Sequence, residues 1–368
     1  MADGESGSTR EVGHDPQPHG GVRVPVLEVE DLSVELLRPG GTPHLAVERV
    51  SFTLYESETL ALIGESGSGK SLTAMAVLGL LPGNVRASGS ARYRGTDLLT
   101  LSEAGLRALR GKHLATVFQD SLSALNPTLT VGFQIAEVLR VHRGLSRRAA
   151  RSAAVDLLDR VRIPDPARRY GDHPHQFSGG MRQRAMIAMA VALGPDVLIA
   201  DEPTTALDVT VQAQIMELLA ELREEHRSAL LLITHDLGLA AGTADRVALM
   251  YAGRIVEQAP AVPLYERPAH PYTRGLLNAV PSLDAPVGGL VPVPGAPPAP
   301  GAFPGGCVFH PRCPSARDRC ATQRPELEAG ADGRTTACHY PLDPLDPPGP
   351  QRPSVPKNPH GPQEAPRA

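Results

Sequence analysis

Gly64-Glu65-Ser66-Gly67-Ser68-Gly69-Lys70-Ser71 is the stretch from which the rest of this chain is best read. It satisfies G-x-x-x-x-G-K-[ST] in full, follows the apolar run Leu60-Ala61-Leu62-Ile63, and precedes Leu72 to Leu78, whose spacing predicts a helix. Strand, glycine-rich loop and helix in that order are the context a phosphate-binding loop needs. Glycines let successive backbone N–H groups turn inward on a phosphate chain, and the helix N-terminus adds partial positive charge. Lys70, one of three lysines in the chain, is expected to reach the β- and γ-phosphates of a nucleotide, and the Ser71 hydroxyl to ligate Mg²⁺. A glycine-rich turn before an ordinary helix is the bland alternative.

Such a loop needs a carboxylate-bearing strand beside it. Val197-Leu198-Ile199-Ala200 supplies four apolar residues that end in Asp201 and Glu202, at the strand's C-terminal end, where open α/β sheets bind ligands. Asp201 is expected to hold Mg²⁺ through its water shell and Glu202 to act as general base on the attacking water.

Composition bounds the rest. At 368 residues and 41% hydrophobic the chain can hold two domains and a sizeable core. No run approaches 18 apolar residues and the first 25 lack an apolar leader core, so neither a membrane span nor a secretory signal is expected, and membrane attachment would go through a partner. A net charge of −4 with a pI near 6.4 argues against a general nucleic-acid binder. All four cysteines lie after residue 306.

Working outward, residues 1–25 are Gly-, Pro- and Ser-rich with scattered charge and are expected to be disordered. Alternation over Leu27 to Leu36 and over Val47 to Leu54, with Ala91 to Arg94 as a third strand, predicts an antiparallel β-layer. From Ser102, a candidate N-cap for Glu103 to Arg110, to about Pro174 the pattern is helical, with Val155, Leu158 and Val161 at helical spacing. Core periodicity returns in a helix over Met181 to Leu193, a strand over Val197 to Ala200, a helix over Thr210 to His226 and a strand over Ala229 to Ile233. The expected fold is therefore α/β: a P-loop NTPase core over 26–280 with an antiparallel β-subdomain and an α-helical insertion at about 102–178. A Pro/Gly-rich linker opens a small cysteine module over 281–340, and 341–368 is a Pro-rich tail expected to be disordered.

The order of the remaining motifs resembles the ATP-binding subunits of ABC transporters. Gln119, in Val117-Phe118-Gln119-Asp120, is similar to the Q-loop glutamine that contacts Mg²⁺ and the attacking water. Phe177-Ser178-Gly179-Gly180-Met181 resembles the signature LSGGQ, with Met at the fifth place, and Ala206-Leu207-Asp208 the D-loop. His235, in Ile233-Thr234-His235-Asp236, is similar to the switch histidine on the γ-phosphate. The signature's hydroxyl and bare N–H groups open a helix and suit an anion. In the family they close on the ATP of a partner, which implies two composite sites in a head-to-tail dimer. One feature departs from the family: no aromatic residue other than His44 lies between Ser33 and Ser51 to stack adenine, and Leu36 or Leu37 occupies that neighbourhood.

Asp120-Ser121-Leu122-Ser123-Ala124-Leu125-Asn126-Pro127, His173-Pro174-His175-Gln176, Met250 to Glu257 and His270-Pro271-Tyr272-Thr273 resemble the oligopeptide, dipeptide and nickel importer branch. That resemblance implies an ATPase at the cytoplasmic face of the cell membrane. Its partners would be two transmembrane permease subunits, an identical or paralogous ATPase subunit and, through the permeases, an extracellular solute-binding protein. No nucleic acid is expected, and a soluble ABC ATPase acting on ribosomes or DNA is the alternative. Cys307, Cys313, Cys320 and Cys338 point to a metal site more than to two disulfides in a cytosolic chain. Their spacing is wider than the pairs usual for zinc and suits a [4Fe–4S] cluster, to which the resemblance also points, with zinc or free thiols as the alternatives.

Overall fold

The structure, a computed structural model, describes residues 23–37, 42–120, 124–280, 292–299 and 301–343. The segments expected to be disordered, 1–25 and 341–368, lie almost wholly outside the described residues, as does 281–291 of the expected linker.

Two sheets carry the chain. β1 (Pro25–Leu36), β2 (His44–Tyr55), β4 (Val85–Tyr93) and β5 (Thr96–Asp97) form an antiparallel layer in the order β2-β1-β4-β5. The larger sheet is built on β3 (Thr59–Ile63), β6 (Leu114–Val117), β7 (Val197–Asp201), β8 (Ala229–Thr234) and β9 (Arg246–Tyr251), all parallel, in the order β9-β3-β8-β7-β6. Every residue of β3 and β8 is buried, as expected of strands covered on both faces. Alternate side chains separate the two faces. Leu60, Leu62, Val197, Ile199, Leu231 and Ile233 pack with the antiparallel layer and the helix Lys70–Val77. Leu198, Ala200, Leu230 and Leu232 pack instead with the helices Gly179–Val191 and Val209–His226.

Three expectations are corrected here. First, β4 begins at Val85, six residues before the expected Ala91. Its N-terminal part, Val-Arg-Ala-Ser-Gly-Ser, buries no residue fully: Val85 and Ala87 alternate with exposed Arg86 and Ser88 but are only half-buried, and a valine and an alanine make too weak an apolar pattern to mark a strand. Second, residues 114–117 lie inside the stretch read as a helical insertion from about 102, yet they form the β6 edge of the parallel sheet. The helix Glu103–Leu109 belongs with the core too: Leu106 joins the cluster around Lys70–Val77, and Arg110 donates to the carbonyls of Leu78 and Gly79. The helical subdomain proper is the hairpin of Val131–Arg143 and Arg147–Arg160, N-capped by Thr130 and Ser146 and separated by Gly144 at φ 65°. Its second helix buries Ala150, Ala154 and Leu158, a stripe that alanines disguise in the sequence, while Val155 is only half-buried.

Third, the cysteine module is not a separate unit. β10 (Arg254–Pro260) runs antiparallel to β9, and two short strands from the C-terminal segment, β11 (Glu328–Ala329) and β12 (Thr335–Thr336), continue the same sheet through Glu257↔Thr336 and Gln258↔Thr335. Val308 and Phe309 share a core with Leu249, Tyr251 and Tyr272. Glu257, fully buried, accepts from the N–H groups of Ala269 and His270 and from the Thr273 hydroxyl, and pairs with Arg334 of the C-terminal segment at 3.2 Å. The segment thus borrows the ATPase core instead of building its own.

Candidate functional site

The phosphate loop leaves the C-terminal end of β3 and enters the helix Lys70–Val77. Two glycines are dictated by geometry. A Cβ on Gly64 would lie 2.1 Å from the Met250 carbonyl oxygen, and Gly69 caps the helix at φ +103°, a region side chains avoid. Lys70 is 5% exposed and donates from Nζ to the carbonyls of Gly64 (2.8 Å) and Glu65 (3.0 Å), so its ammonium is curled back over its own loop. Burial lowers its pKa, while Glu202, Asp201 and Glu65 work in the opposite direction. Arriving phosphates would replace the two carbonyls as its partners. Ser66, Gly67 and Ser71 line the same cavity, whereas Ser68 is buried beneath it.

The parallel sheet brings the carboxylates to this loop. Ser71 Oγ donates to Asp201 Oδ1 at 3.0 Å, so the two residues expected to hold Mg²⁺ are adjacent. Burial raises the Asp201 pKa, partly offset by that hydrogen bond. Glu202 follows at φ +46°, a left-handed conformation that costs a non-glycine residue about 1–2 kcal/mol and that here turns its side chain into a hydrogen-bonded cluster. Its Oε2 accepts from Gln119 Nε2 (3.0 Å) and from Thr205 Oγ1 (2.9 Å), and His235 Nδ1 lies 3.4 Å from Oε1. Gln119 therefore reaches Glu202 rather than the Ser71–Asp201 pair. A carboxylate, an imidazole and a side-chain amide around one point beside a phosphate cradle can position and deprotonate a water for in-line attack on a terminal phosphate.

The signature stands elsewhere. Ser178 Oγ accepts from the Met181 N–H at 3.3 Å and caps the helix Gly179–Val191, and Asp208 caps Val209–His226 by accepting from the Val211 N–H at 3.0 Å. Gly180 packs so closely on Val211 that a Cβ would stand 2.9 Å from its Cγ1. None of Ser178, Gly179, Gly180, Met181 or Asp208 lines the cavity of Lys70. Leu36 lines the same cavity, as the sequence suggests, together with Ala46 and Leu276, and among the described residues no Phe, Tyr or Trp lines it.

The cysteines form a second locus. All four are free thiols and line one small cavity with Phe309, His310 and His339. Burial raises the thiol pKa of Cys307, of Cys313 to about 12 and of Cys338 to about 11. Among the described residues, however, no group of three or more His, Cys, Asp or Glu side chains is arranged to hold a metal ion, so the geometry gives the [4Fe–4S] expectation no support beyond the shared cavity.

Three contacts escape sequence reasoning. Thr205 is unremarked between two motifs. Tyr272 accepts from the Glu65 N–H through its hydroxyl oxygen at 3.1 Å, and Arg312 forks onto the Glu65 carboxylate at 2.7 and 3.0 Å. Both lie in stretches whose resemblance to the importer branch is visible, but nothing local says that they touch the phosphate loop.

Fold and site together define an ATP-binding cassette. The chain matches the ABC transporter family over residues 47–205 and the oligopeptide/dipeptide transporter C-terminal region over 256–320. It is 53% identical over 315 residues to a protein of Brucella abortus (strain 2308) named provisionally as a peptide import ATP-binding protein, covering 85% of this chain and 94% of the relative. It is 50% identical over 318 residues to the oligopeptide transport ATP-binding protein OppD of Salmonella typhimurium (86% and 94% covered) and 48% identical over 320 residues to the dipeptide transport ATP-binding protein DppD of Escherichia coli (86% and 97% covered). Among solved structures, the dimeric ABC transporter cassette MJ0796, also solved in a post-hydrolysis state with ADP and Pi, matches at 27% identity with a TM-score of 0.58, over 64% of this chain and 98% of that one. The chain belongs to the ABC transporter ATPase family, in its oligopeptide/dipeptide branch, and is an ATPase.

Proposed function

We propose that this ATPase energises import of peptides, or of nickel or related solutes, through two transmembrane permease subunits supplied by an extracellular solute-binding protein. Its place is the cytoplasmic face of the cell membrane, as a peripheral subunit; among the described residues no helix is long and apolar enough to cross a membrane. The observation that carries the reading is the convergence of Gln119, Thr205 and His235 on Glu202, one residue beyond the Ser71–Asp201 pair. The transport functions named for the relatives support peptides as the cargo.

In this reading Gly64 to Ser71 hold the triphosphate, Ser71 and Asp201 hold Mg²⁺ with Gln119 close by, Glu202 is the base and His235 the γ-phosphate switch. Adenine lies against the apolar wall of Leu36, Ala46 and Leu276. Ser178 to Met181 serve the ATP of a second, identical or paralogous ATPase subunit and Asp208 contacts across that interface, because the signature is absent from the chain's own cavity. Closure of that dimer is passed to the permeases through the helical subdomain, with Gln119 as the hinge. For the cysteines we retain a thiolate-held [4Fe–4S] centre, supported by their common cavity and wide spacing. Iron and acid-labile sulfide in anaerobically prepared protein, with absorbance near 400 nm, are its test, and their absence rejects it.

Cells carrying Lys70→Ala as the sole copy should lose uptake of labelled peptide while the protein still sediments with membranes. Uptake at the parental rate rejects the transport assignment. Sedimentation with ribosomes or DNA would favour the soluble alternative.

A further inference from the structure

Several ion pairs tie the C-terminal segment to the ATPase core, among them Arg334–Glu257 at 3.2 Å, Arg324–Glu48 at 2.6 Å and Arg312–Glu65 at 2.7 Å. Only the third ends on the phosphate loop. Arg312 closes the turn His310–Arg312, between Cys307 and Cys313, and its guanidinium is fixed from every side. It donates to the Pro294 carbonyl at 2.7 Å and the Tyr251 hydroxyl at 3.3 Å, lies 5.6 Å from the centroid of the Tyr251 ring, and is 8% exposed. Both nitrogens of its fork meet both oxygens of Glu65, the bidentate geometry that makes Arg–carboxylate pairs strong and directional. Beneath it, the rings of Tyr251, Tyr272 and Phe309 pack at centroid separations of 4.8 to 5.4 Å and join core, helix and C-terminal segment.

Glu65 is a poor neighbour for a triphosphate. It lines the nucleotide cavity, and its negative charge acts on Lys70, the cation meant for the β- and γ-phosphates. Left to itself, its carboxylate would repel the phosphates and compete with them for the Lys70 ammonium. We propose that Arg312 is a positioning residue of the ATP site, contributed by the C-terminal segment, which neutralises Glu65 and keeps it off Lys70 so that the triphosphate can enter. Arg312 touches neither nucleotide nor water. It acts through Glu65, and the cysteine-bearing turn thereby becomes part of the ATP site. This rests on the assignment of that cavity to ATP.

The test is equilibrium binding of ATP, ADP and AMP to the full-length protein. Arg312→Gln should weaken ATP about tenfold, ADP less and AMP within about twofold, since a charge near the outer phosphates acts on them through a medium of intermediate dielectric. Adding Glu65→Gln to that variant should restore ATP to within about threefold of the parent. Glu65→Gln alone, which leaves the Arg312 charge free, should tighten ATP and leave AMP unchanged, and this arm remains readable if Arg312→Gln does not fold. Arg324→Gln removes a comparable ion pair of the same segment and should leave the ATP-to-AMP ratio as in the parent. The proposal is overturned if Arg312→Gln weakens all three nucleotides equally, if the second substitution gives no rescue, or if Glu65→Gln alone leaves ATP unchanged. A parent protein that binds no ATP would instead reject the ATP assignment itself.

Discussion

Glu202→Gln tests the hydrolytic centre with little disturbance of the fold. The amide has the volume of the acid and one of its oxygens. That oxygen can accept from both Gln119 Nε2 and Thr205 Oγ1, now 3.0 and 2.9 Å from Oε2, while the new NH₂ faces His235 Nδ1, now 3.4 Å from Oε1. All three contacts survive in the neutral side chain, so thermal stability should stay within about 0.5 kcal/mol of the parent, the usual range for a substitution that leaves no group unpaired. What is lost is the ability to take a proton. General-base catalysis contributes about 10²–10⁴ in rate, or about 3–5.5 kcal/mol of barrier. ATP affinity should hold or rise, because one negative charge beside the triphosphate is gone. Phosphate release at saturating ATP, with nucleotide binding measured separately, gives both numbers. Turnover within fivefold of the parent, with binding intact, would mean that another group removes the proton and that the cluster around Glu202 only holds the loop in shape.

The apolar wall of Leu36, Ala46 and Leu276 in the cavity predicts that Leu36→Tyr, by offering a ring to stack on adenine, should tighten ATP by about 0.5–1.5 kcal/mol, or two- to tenfold, in equilibrium binding; no change would place adenine elsewhere. His270 is 1% exposed, and burial lowers its pKa from 6.5 to about 3. Its folded pKa is depressed, so the unfolded chain binds the extra proton and stability is lost as pH falls below about 6.5. Between pH 7.5 and pH 5 that loss is about 2 kcal/mol. His270→Asn, which can still cap the helix Pro271–Asn278 but does not titrate, should remove this part of the pH dependence of urea unfolding; an unchanged dependence refutes the assignment.

The phosphate loop and the neighbouring carboxylates were legible because they sit where local pattern is strongest. Gly64 to Ser71 lie between a fully buried strand and a helix, and Asp201 and Glu202 end another buried strand, so the loop and the carboxylates could be placed by periodicity alone. The helix over Val209–His226 differs from its expected start by one residue. Misreadings fall where burial is carried by small or few side chains. Ala150 and Ala154 are core residues without a hydrophobic signature, the first half of β4 buries no residue fully, and β6 is only four residues long inside helical surroundings. Thr205 was hidden for another reason: a hydroxyl gains its role from the left-handed turn at Glu202, which no sequence period announces.

The C-terminal segment shows the limit most clearly. β11 and β12 are two residues each and have no period to read, and β12 pairs with β10 across more than seventy residues of chain. Its poverty in apolar residues suggests a module in need of an internal clip. The structure supplies a different remedy: Phe309 inserts beside Tyr251 and Tyr272, Arg334 pairs with the buried Glu257, and Arg312 reaches Glu65 across 247 residues. Removing Arg334 would leave the buried Glu257 charge uncompensated, at a cost of about 3–5 kcal/mol. The segment's attachment and the shape of the phosphate loop are therefore not independent quantities. Any change that displaces the turn between Cys307 and Cys313 must either carry Glu65 with it or break a bidentate pair beside Lys70, and in both cases the effect is felt first where ATP binds.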